Sequence, residues 1–334
     1  MKKNRDNFLN IIDRFAGRPI TVWGDFILDE YIFGTTRRIS REAPVLILSY
    51  EANQFVLGGA ANSVRNLKSL GAVPLPVGVI GKDEAGKQIL KLLKKENITT
   101  IHIRCEQTYR TPIKTRILAG EATTKKQQIL RIDREESVPN ARELKTDLQK
   151  SLMELRKKTE ALLISDYNYG TVRRDVFDKV ISAFKKDGLI VSLDSRFRLL
   201  DFPGITVCTP NEPEVETSLH TFLKNEKILH ACGREILKKT EADAVLLTRG
   251  GQGMQLYERK KTPFSIPIYG TTDIVDVTGA GDSVISVFTL AVASGASYRE
   301  AALLANYAGG IVVMKKGTAT VTSDELKEAV TFGN

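Results

Sequence analysis

Short β-branched runs alternate with amphipathic stretches along this chain, which predicts an α/β protein with a mainly parallel sheet flanked by helices. Two segments, 31–55 and 111–133, hold strand-like runs with no helix between them and predict a small β-rich lid set into that series. Glycine-rich turns between strands and helices are the third observation, because α/β proteins place ligands at the carboxyl ends of their strands. One domain spanning 1–334, with the two lid segments inserted in it, is the expected organisation.

Strands are predicted at 20–24, 74–80, 98–104, 161–165, 189–193, 205–208 and 244–248, each a short run rich in Val, Ile and Leu. Helical periodicity covers 83–96, 141–156, 172–186, 226–239, 279–294 and 298–314, and a further helix runs from the Gly58-Gly59 turn to about residue 70. Each has one apolar face suited to covering a sheet. The lid runs fall at 45–50, 113–118 and 128–132, among clustered basic residues. A lid lined by Arg37, Arg38, Arg41, Lys114, Arg116 and Arg131 suits closure over an anionic ligand. An arm that pairs two subunits is the equal alternative, and the two roles are compatible.

The chain has 334 residues, of which 42% are hydrophobic and 27% charged, enough apolar content for a core and too much for general disorder. No run of about 18 apolar residues exists to span a membrane. The basic start, Met1 to Asp6, leads into no apolar segment, so no secretory signal is expected. Cys105, Cys208 and Cys232 are odd in number and far apart, which suits a reducing cytoplasm rather than a disulfide framework. A net charge of +9 admits nucleic acid, an anionic membrane face or anionic small substrates. The charges are dispersed at helical spacing and the aromatics do not interleave with them, so neither a nucleic-acid nor a membrane partner is expected. His102, His220 and His230 show no metal spacing, and no Gly-x-Ser-x-Gly or Cys-x-x-Cys occurs.

Chemistry concentrates in Asp276-Val277-Thr278-Gly279-Ala280-Gly281-Asp282, which opens an apolar helix. Small residues there leave the first helical N–H groups unhindered, and the helix terminus favours an anion at the spot they face. Asp282, in the first turn beside that hole, is either an ordinary helix-start acid or the base of a phosphoryl transfer; the length of the motif favours the base. Gly58-Gly59 lets a ligand approach the backbone, and Asn62 in the following turn can bond hydroxyls. Asp25 and Asp29, four apart after the first strand, could grip a polyol. Asn211 and Glu214, three apart, could face hydrated Mg²⁺, with helix capping by Asn211 as the rival. Thr248-Arg249-Gly250-Gly251-Gln252-Gly253 follows another strand end. Gly81 to Gln88 nearly matches a P-loop, but Gln88 replaces the hydroxyl residue and Asp83 and Glu84 put negative charge where phosphate oxygens would lie.

Gly58-Gly59-Ala60-Ala61-Asn62 and Asp276 to Asp282 resemble the two signatures of the ribokinase/PfkB carbohydrate kinases, and the likeness covers nearly the whole chain. Within that family the chain looks like the heptose 7-phosphate kinases, the kinase half of bifunctional kinase/adenylyltransferases. That closer likeness rests on Gly24 to Tyr31, Arg38 to Val45, Gln127 to Asp133, Ser165-Asp166-Tyr167 and Thr209 to Glu214. The resemblance implies a ribokinase-like fold and transfer of the ATP γ-phosphoryl group to the anomeric hydroxyl of D-glycero-D-manno-heptose 7-phosphate. Heptose 1,7-bisphosphate, destined for ADP-heptose and the lipopolysaccharide core, is the implied product.

By the same resemblance Asp282 is the catalytic base, and Gly279, Ala280 and Gly281 form the anion hole. Asp25, Asp29, Gly58, Gly59, Asn62 and Asp166 bind the sugar; Asn211 and Glu214 organise Mg²⁺ and the triphosphate. Thr248, Gly250, Gly253 and Asn306 line the nucleotide site, and Asp276 and Thr278, with backbone near Gly317, form a monovalent-cation site for K⁺. From charge and position Arg196 is the expected ligand of the substrate phosphate, with Lys114 and Arg131 as rivals. Asp194-Ser195-Arg196 departs from the Asp-Pro-Lys of better-known members, and Arg is planar and bidentate where Lys is a point charge. A homodimer is expected, and a separate adenylyltransferase is expected to act next. Kinases for ribose, fructose or another sugar phosphate, and a catalytically silent binding regulator, are the competing readings.

Overall fold

A computed structural model of the protein describes residues 2–121, 126–270 and 275–333. The elements run α1 (Lys2–Asp13), β1 (Pro19–Gly24), β2 (Phe26–Ile39), β3 (Leu46–Gly59), α2 (Ala60–Ser69), β4 (Val73–Gly81), α3 (Glu84–Lys95), β5 (Ile103–Glu106), β6 (Ile113–Gly120) and β7 (Gln127–Arg134). There follow α4 (Arg142–Leu155), β8 (Ala161–Asp166), α5 (Arg174–Lys186), β9 (Ile190–Ser195), β10 (Val207–Cys208), α6 (Glu212–Leu219) and α7 (Glu226–Lys239). The chain closes with β11 (Ala244–Thr248), β12 (Met254–Glu258), β13 (Phe264–Ile266), α8 (Ala280–Ala293), α9 (Tyr298–Val313) and α10 (Ser323–Phe332).

Nine strands form one sheet in the order β13-β12-β11-β10-β9-β8-β1-β4-β5, parallel from β11 through β5 with β12 and β13 antiparallel at the edge. Its inner strands are apolar on both faces because helices cover both. Alternation sorts them: Ile20, Val22, Ala161 and Leu163 enter the core under α2 and α8, whereas Trp23, Leu162 and Ile164 enter the core under α4 and α5. Gly24 is required where β1 meets β8, since a Cβ there would stand 2.3 Å from the Ser165 carbonyl oxygen. The predicted strand at 98–104 is displaced to Ile103–Glu106, because Asn97 takes a left-handed φ of 56° and the chain turns before pairing with β4. The predicted strands did not include β12 and β13, nor the predicted helices α1 and α10.

A four-stranded sheet, β3-β2-β6-β7, forms the lid. Its strands outrun the predicted segments: β2 starts at Phe26 and β3 continues to Gly59, so the lid grows directly from the ends of β1 and α2. The near P-loop anchors the other arm. Asp83 caps α3 by accepting from the Gly86 N–H at 2.8 Å, and its carboxylate also takes the Thr111 N–H and hydroxyl, each at 2.8 Å. Thr111 lies two residues before β6, so Gly81 to Gly86 holds the root of the lid.

Candidate active site

The carboxyl ends of β8, β9 and β11, the inner lid face and the start of α8 converge on a cleft of about 420 Å³. Asp29, Gly59, Lys114, Arg131, Asp166, Arg196, Asn211, Glu214, Thr248, Thr278, Gly279, Gly281 and Asp282 all line it. Most of the predicted site residues, scattered over 250 positions of sequence, therefore meet at one place.

At its floor α8 begins at Gly279, whose φ of 77° suits glycine and whose added Cβ would stand 2.6 Å from Asn62 Nδ2. No side chain caps this terminus, and Gly279 and Gly281 line the cleft, but Ala280, also expected in the anion hole, instead turns its N–H to the Val277 carbonyl at 3.2 Å. Asp282 is buried beside it. Asn62 Nδ2 donates to its Oδ2 at 2.7 Å, while the Tyr167 and Ser63 hydroxyls each donate to Oδ1 at 3.3 Å. A carboxylate accepts about four such bonds, so Oδ2 keeps a position for a substrate hydroxyl. Burial and the charge of Asp194 push the Asp282 carboxyl up to about 7, against the lowering effect of Asn62 and Tyr167. A base with that affinity can take a proton near neutral pH.

Several residues expected to touch sugar are instead bonded to the chain itself. Asp25 receives the N–H groups of Tyr167, Tyr169 and Thr171 at 2.9, 3.1 and 3.0 Å, tying the end of β1 to the loop after β8. It is absent from the cleft lining, and burial raises its carboxyl to about 6. Asp166 lines the cleft but accepts from the Ser195 hydroxyl, the Asn168 N–H and two nitrogens of Arg198. Asn62 bonds the base, and Gly58 packs on Asp29, where a Cβ would stand 2.7 Å from Oδ2.

Asn211 and Glu214 form a reciprocal capping box at the start of α6, so the capping alternative holds, and Glu214 still faces the cleft. Asp194 lines the cleft with it; desolvation holds both carboxyls well above the usual range, and the charges of Glu214 and Asp166 add to the rise at Asp194. Two hard oxygen donors suit a divalent cation completed by phosphate and water. Among the described residues no group of three or more His, Cys, Asp or Glu could hold a metal alone. Gly250, Gly253 and Asn306 do not line the cleft: Gly253 makes the turn into β12, and Asn306 donates to the Pro267 carbonyl at 2.9 Å. Asp276 accepts from Thr278 N–H at 2.9 Å and Gly317 N–H at 3.0 Å, which binds the two loops named for a monovalent cation.

The basic lid divides. Lys114, Arg116 and Arg131 reach the cleft, whereas Arg37, Arg38 and Arg41 are exposed at the far end of the lid. Lys114 lies 3.7 Å from Asp133 and 3.5 Å from Glu135, and Arg131 lies 3.0 Å from Asp133. Arg196 lies over the Phe197 ring at 5.7 Å and makes no ion pair among the described residues. An adjoining cavity of about 400 Å³ gathers Lys114, Arg131, Arg196, Tyr167 and Tyr169. Tyr167, Ser63 and Asp194 were not among the predicted site residues. Only their position one strand end or one helical turn from a named residue could have marked them.

The chain belongs to the pfkB family of carbohydrate kinases, whose model, "pfkB family carbohydrate kinase", matches residues 20–325. It is similar to "Bifunctional protein HldE" of Histophilus somni strain 129Pt, 38% identical over 318 residues that cover 95% of this chain and 64% of that protein. The protein of the same name from Paramagnetospirillum magneticum strain AMB-1 is 34% identical over 320 residues, 96% of this chain and 64% of that one. The chain thus spans less than two thirds of the length of these relatives. Among solved structures, Arabidopsis thaliana ribokinase complexed with ribose and ATP superposes with a TM-score of 0.71 at 20% identity, covering 95% of this chain and 99% of that one. Escherichia coli phosphofructokinase-2 in complex with potassium gives 0.74 at 20% identity, with the same shares covered. The fold is ribokinase-like, and the protein is a carbohydrate kinase of the pfkB type. No helix among the described residues is long and apolar enough to cross a membrane.

Proposed function

We propose that this kinase transfers the γ-phosphoryl group of ATP to the anomeric hydroxyl of D-glycero-D-manno-heptose 7-phosphate. The observation that carries the reading is the arrangement of the cleft: Asp282 and the uncapped start of α8 lie at one end, and Arg196, Lys114 and Arg131 lie toward the adjoining cavity. A sugar with a phosphate at the far end from its reacting hydroxyl suits that spacing of charges. Similarity to the HldE proteins supports the same acceptor.

In this reading Asp282 Oδ2 takes the hydroxyl proton as the sugar oxygen forms its bond to the γ-phosphorus and the bond to the ADP oxygen breaks. Asn62, Ser63 and Tyr167 hold the base in place. N–H groups of Gly279 and Gly281 take up charge on the transferring oxygens. Asp29 orients the acceptor, and Asp25 and Asp166 act by setting the loops around it. Asp194 and Glu214 would hold Mg²⁺, which supplies charge neutralisation for the triphosphate, and Asp276 and Thr278 would serve K⁺. Thr248 stands on the nucleotide wall, with Gly250 and Asn306 further out. A cytoplasmic homodimer and a subsequent adenylyl transfer to the product complete the proposal. The apolar outer lid face, where Leu130 and Ile132 are about half exposed, is the surface for the second copy.

One observation favours a second acceptor class: Asp133 and Glu135 already occupy Lys114, as an enzyme for another sugar would tolerate. The test is ADP release with heptose 7-phosphate, ribose, fructose and fructose 6-phosphate, with Asp282→Asn as the blank. Turnover confined to the heptose phosphate is expected; turnover confined to another acceptor discards the heptose and keeps the chemistry.

A further inference from the structure

Thr318, which no motif marks, is buried at the junction of the lid and the anion-hole loop. Its Oγ1 lies 3.0 Å from Asp29 Oδ2 and 3.1 Å from the Tyr31 hydroxyl, both on β2 of the lid. Proton count sets the direction of these bonds. A carboxylate accepts only and a hydroxyl has one proton, so Thr318 donates to Asp29 and Tyr31 donates to Thr318. Arg116 Nη1, on the adjacent strand β6, donates to Asp29 Oδ1 at 2.7 Å, and its guanidinium stands 5.4 Å from the Tyr31 ring centre. Each oxygen of Asp29 thus has one protein donor and keeps about one acceptor position for the cleft.

On its other side Thr318 belongs to the anion-hole loop. The preceding residue, Gly317, donates to Asp276, whose second oxygen takes Thr278 N–H. The Thr318 methyl fills the space beside Gly279, where an added Cβ would stand 3.0 Å from it. Direct bonds therefore lead from the phosphate cradle through Thr318 to the residue placed against the sugar.

We propose that Thr318 is the latch that couples lid closure to the setting of the Gly279 to Gly281 cradle, with Arg116 the positioning residue that holds the Asp29 carboxylate aimed at acceptor hydroxyls. Neither side chain needs to touch the reacting atoms. A ligand that orders one end of such a linkage lowers the cost of ordering the other, so acceptor and nucleotide bind with positive coupling. The coupling is useful because a lid that closes only over both substrates keeps water from the transferring phosphoryl group. The role of Asp29 rests on the sugar-kinase reading given above.

Thr318→Val removes the donor and keeps the shape; Thr318→Ser restores it. In hydrogen exchange on the free protein, Thr318→Val should open β2 residues 28–33 and the 276–282 loop several-fold faster, with Thr318→Ser like the parent and α4 and α5 unchanged in both. Parental exchange in β2 of the valine variant overturns the latch. With a non-hydrolysable ATP analogue, saturating acceptor should tighten nucleotide binding about fivefold or more in the parent, and this ratio should fall toward one in Thr318→Val. A ratio near one in the parent with an acceptor shown to bind, or an unchanged ratio in the variant, also overturns it. Arg116→Met should raise acceptor KM by about tenfold with ATP KM unchanged, and Arg116→Lys should recover part of the loss; equal rises in both KM values refute the positioning role. The exchange arm uses no acceptor, so heptose phosphate that fails to bind refutes the acceptor assignment while the latch is judged separately.

Discussion

Asp282 is the residue on which the chemistry turns, and its burial sets the pH behaviour. Its carboxyl is raised from 3.8 to about 7, so the acceptor kcat/KM should fall as pH drops below about 7, where the base is protonated. Tyr167→Phe removes a donor that favours the charged form, and the acid limb of the profile should move to higher pH; an unmoved limb would detach Tyr167 from the base. Asp282→Asn should lower kcat by about 10²–10⁴-fold, measured as ADP release. The same shift costs stability. A carboxyl whose folded pKa exceeds its unfolded value holds its proton more tightly when folded, so charging it between about pH 4 and pH 7 destabilises the fold. Asp282→Asn should therefore raise Tm at pH 8 by more than it does at pH 4.5. At this scale the sequence was readable where one motif carried the chemistry, as at Gly279 to Asp282. It was not readable for Asp25, whose carboxylate is spent on three backbone N–H groups that fold brings 142 to 146 positions along the chain.

Elements place these residues, and the turns between them are as specific as the site. Asp83 serves α3 and the root of β6 together. Asp83→Ala should cost about 1 kcal/mol from the lost cap alone. It should also raise hydrogen exchange at residues 111–118 in the lid, an effect a capping role by itself would not produce. At the other lid root Gly58→Ala should raise acceptor KM with ATP affinity retained, because a methyl there would displace the Asp29 carboxylate. Helix and strand periodicity revealed β1, β4, β8, β11 and α3 through α9 apart from α6, since each buries a regular face. It missed β12 and β13 because Met254–Glu258 sets the polar Gln255 and Glu258 into its apolar run and Phe264–Ile266 has too few residues for a period to show. It placed the start of β2 late because Phe26 to Glu30 reads as a loop after the strand, and only pairing with β3 and β6 makes it sheet.

The whole molecule is a nine-stranded sheet with a lid whose inner face serves the cleft and whose outer face is apolar. Arg131 points to the cleft, so period-two alternation sends Leu130 and Ile132 outward. If the outer face joins two copies, Ile132→Lys should convert a two-chain sedimentation mass to a one-chain mass with circular dichroism unchanged; a parent that sediments as one chain contradicts the dimer. Transfer to the anomeric hydroxyl engages the whole cleft, from the Asp282 base to the basic side chains at the far end. Phosphorus NMR of the product made from ATP and D-glycero-D-manno-heptose 7-phosphate tests it most directly. A second sugar phosphate resonance coupled to the anomeric proton is expected, beside the retained 7-phosphate and stoichiometric ADP, and none with Asp282→Asn. A new ester at any other carbon, or inorganic phosphate alone, would contradict it.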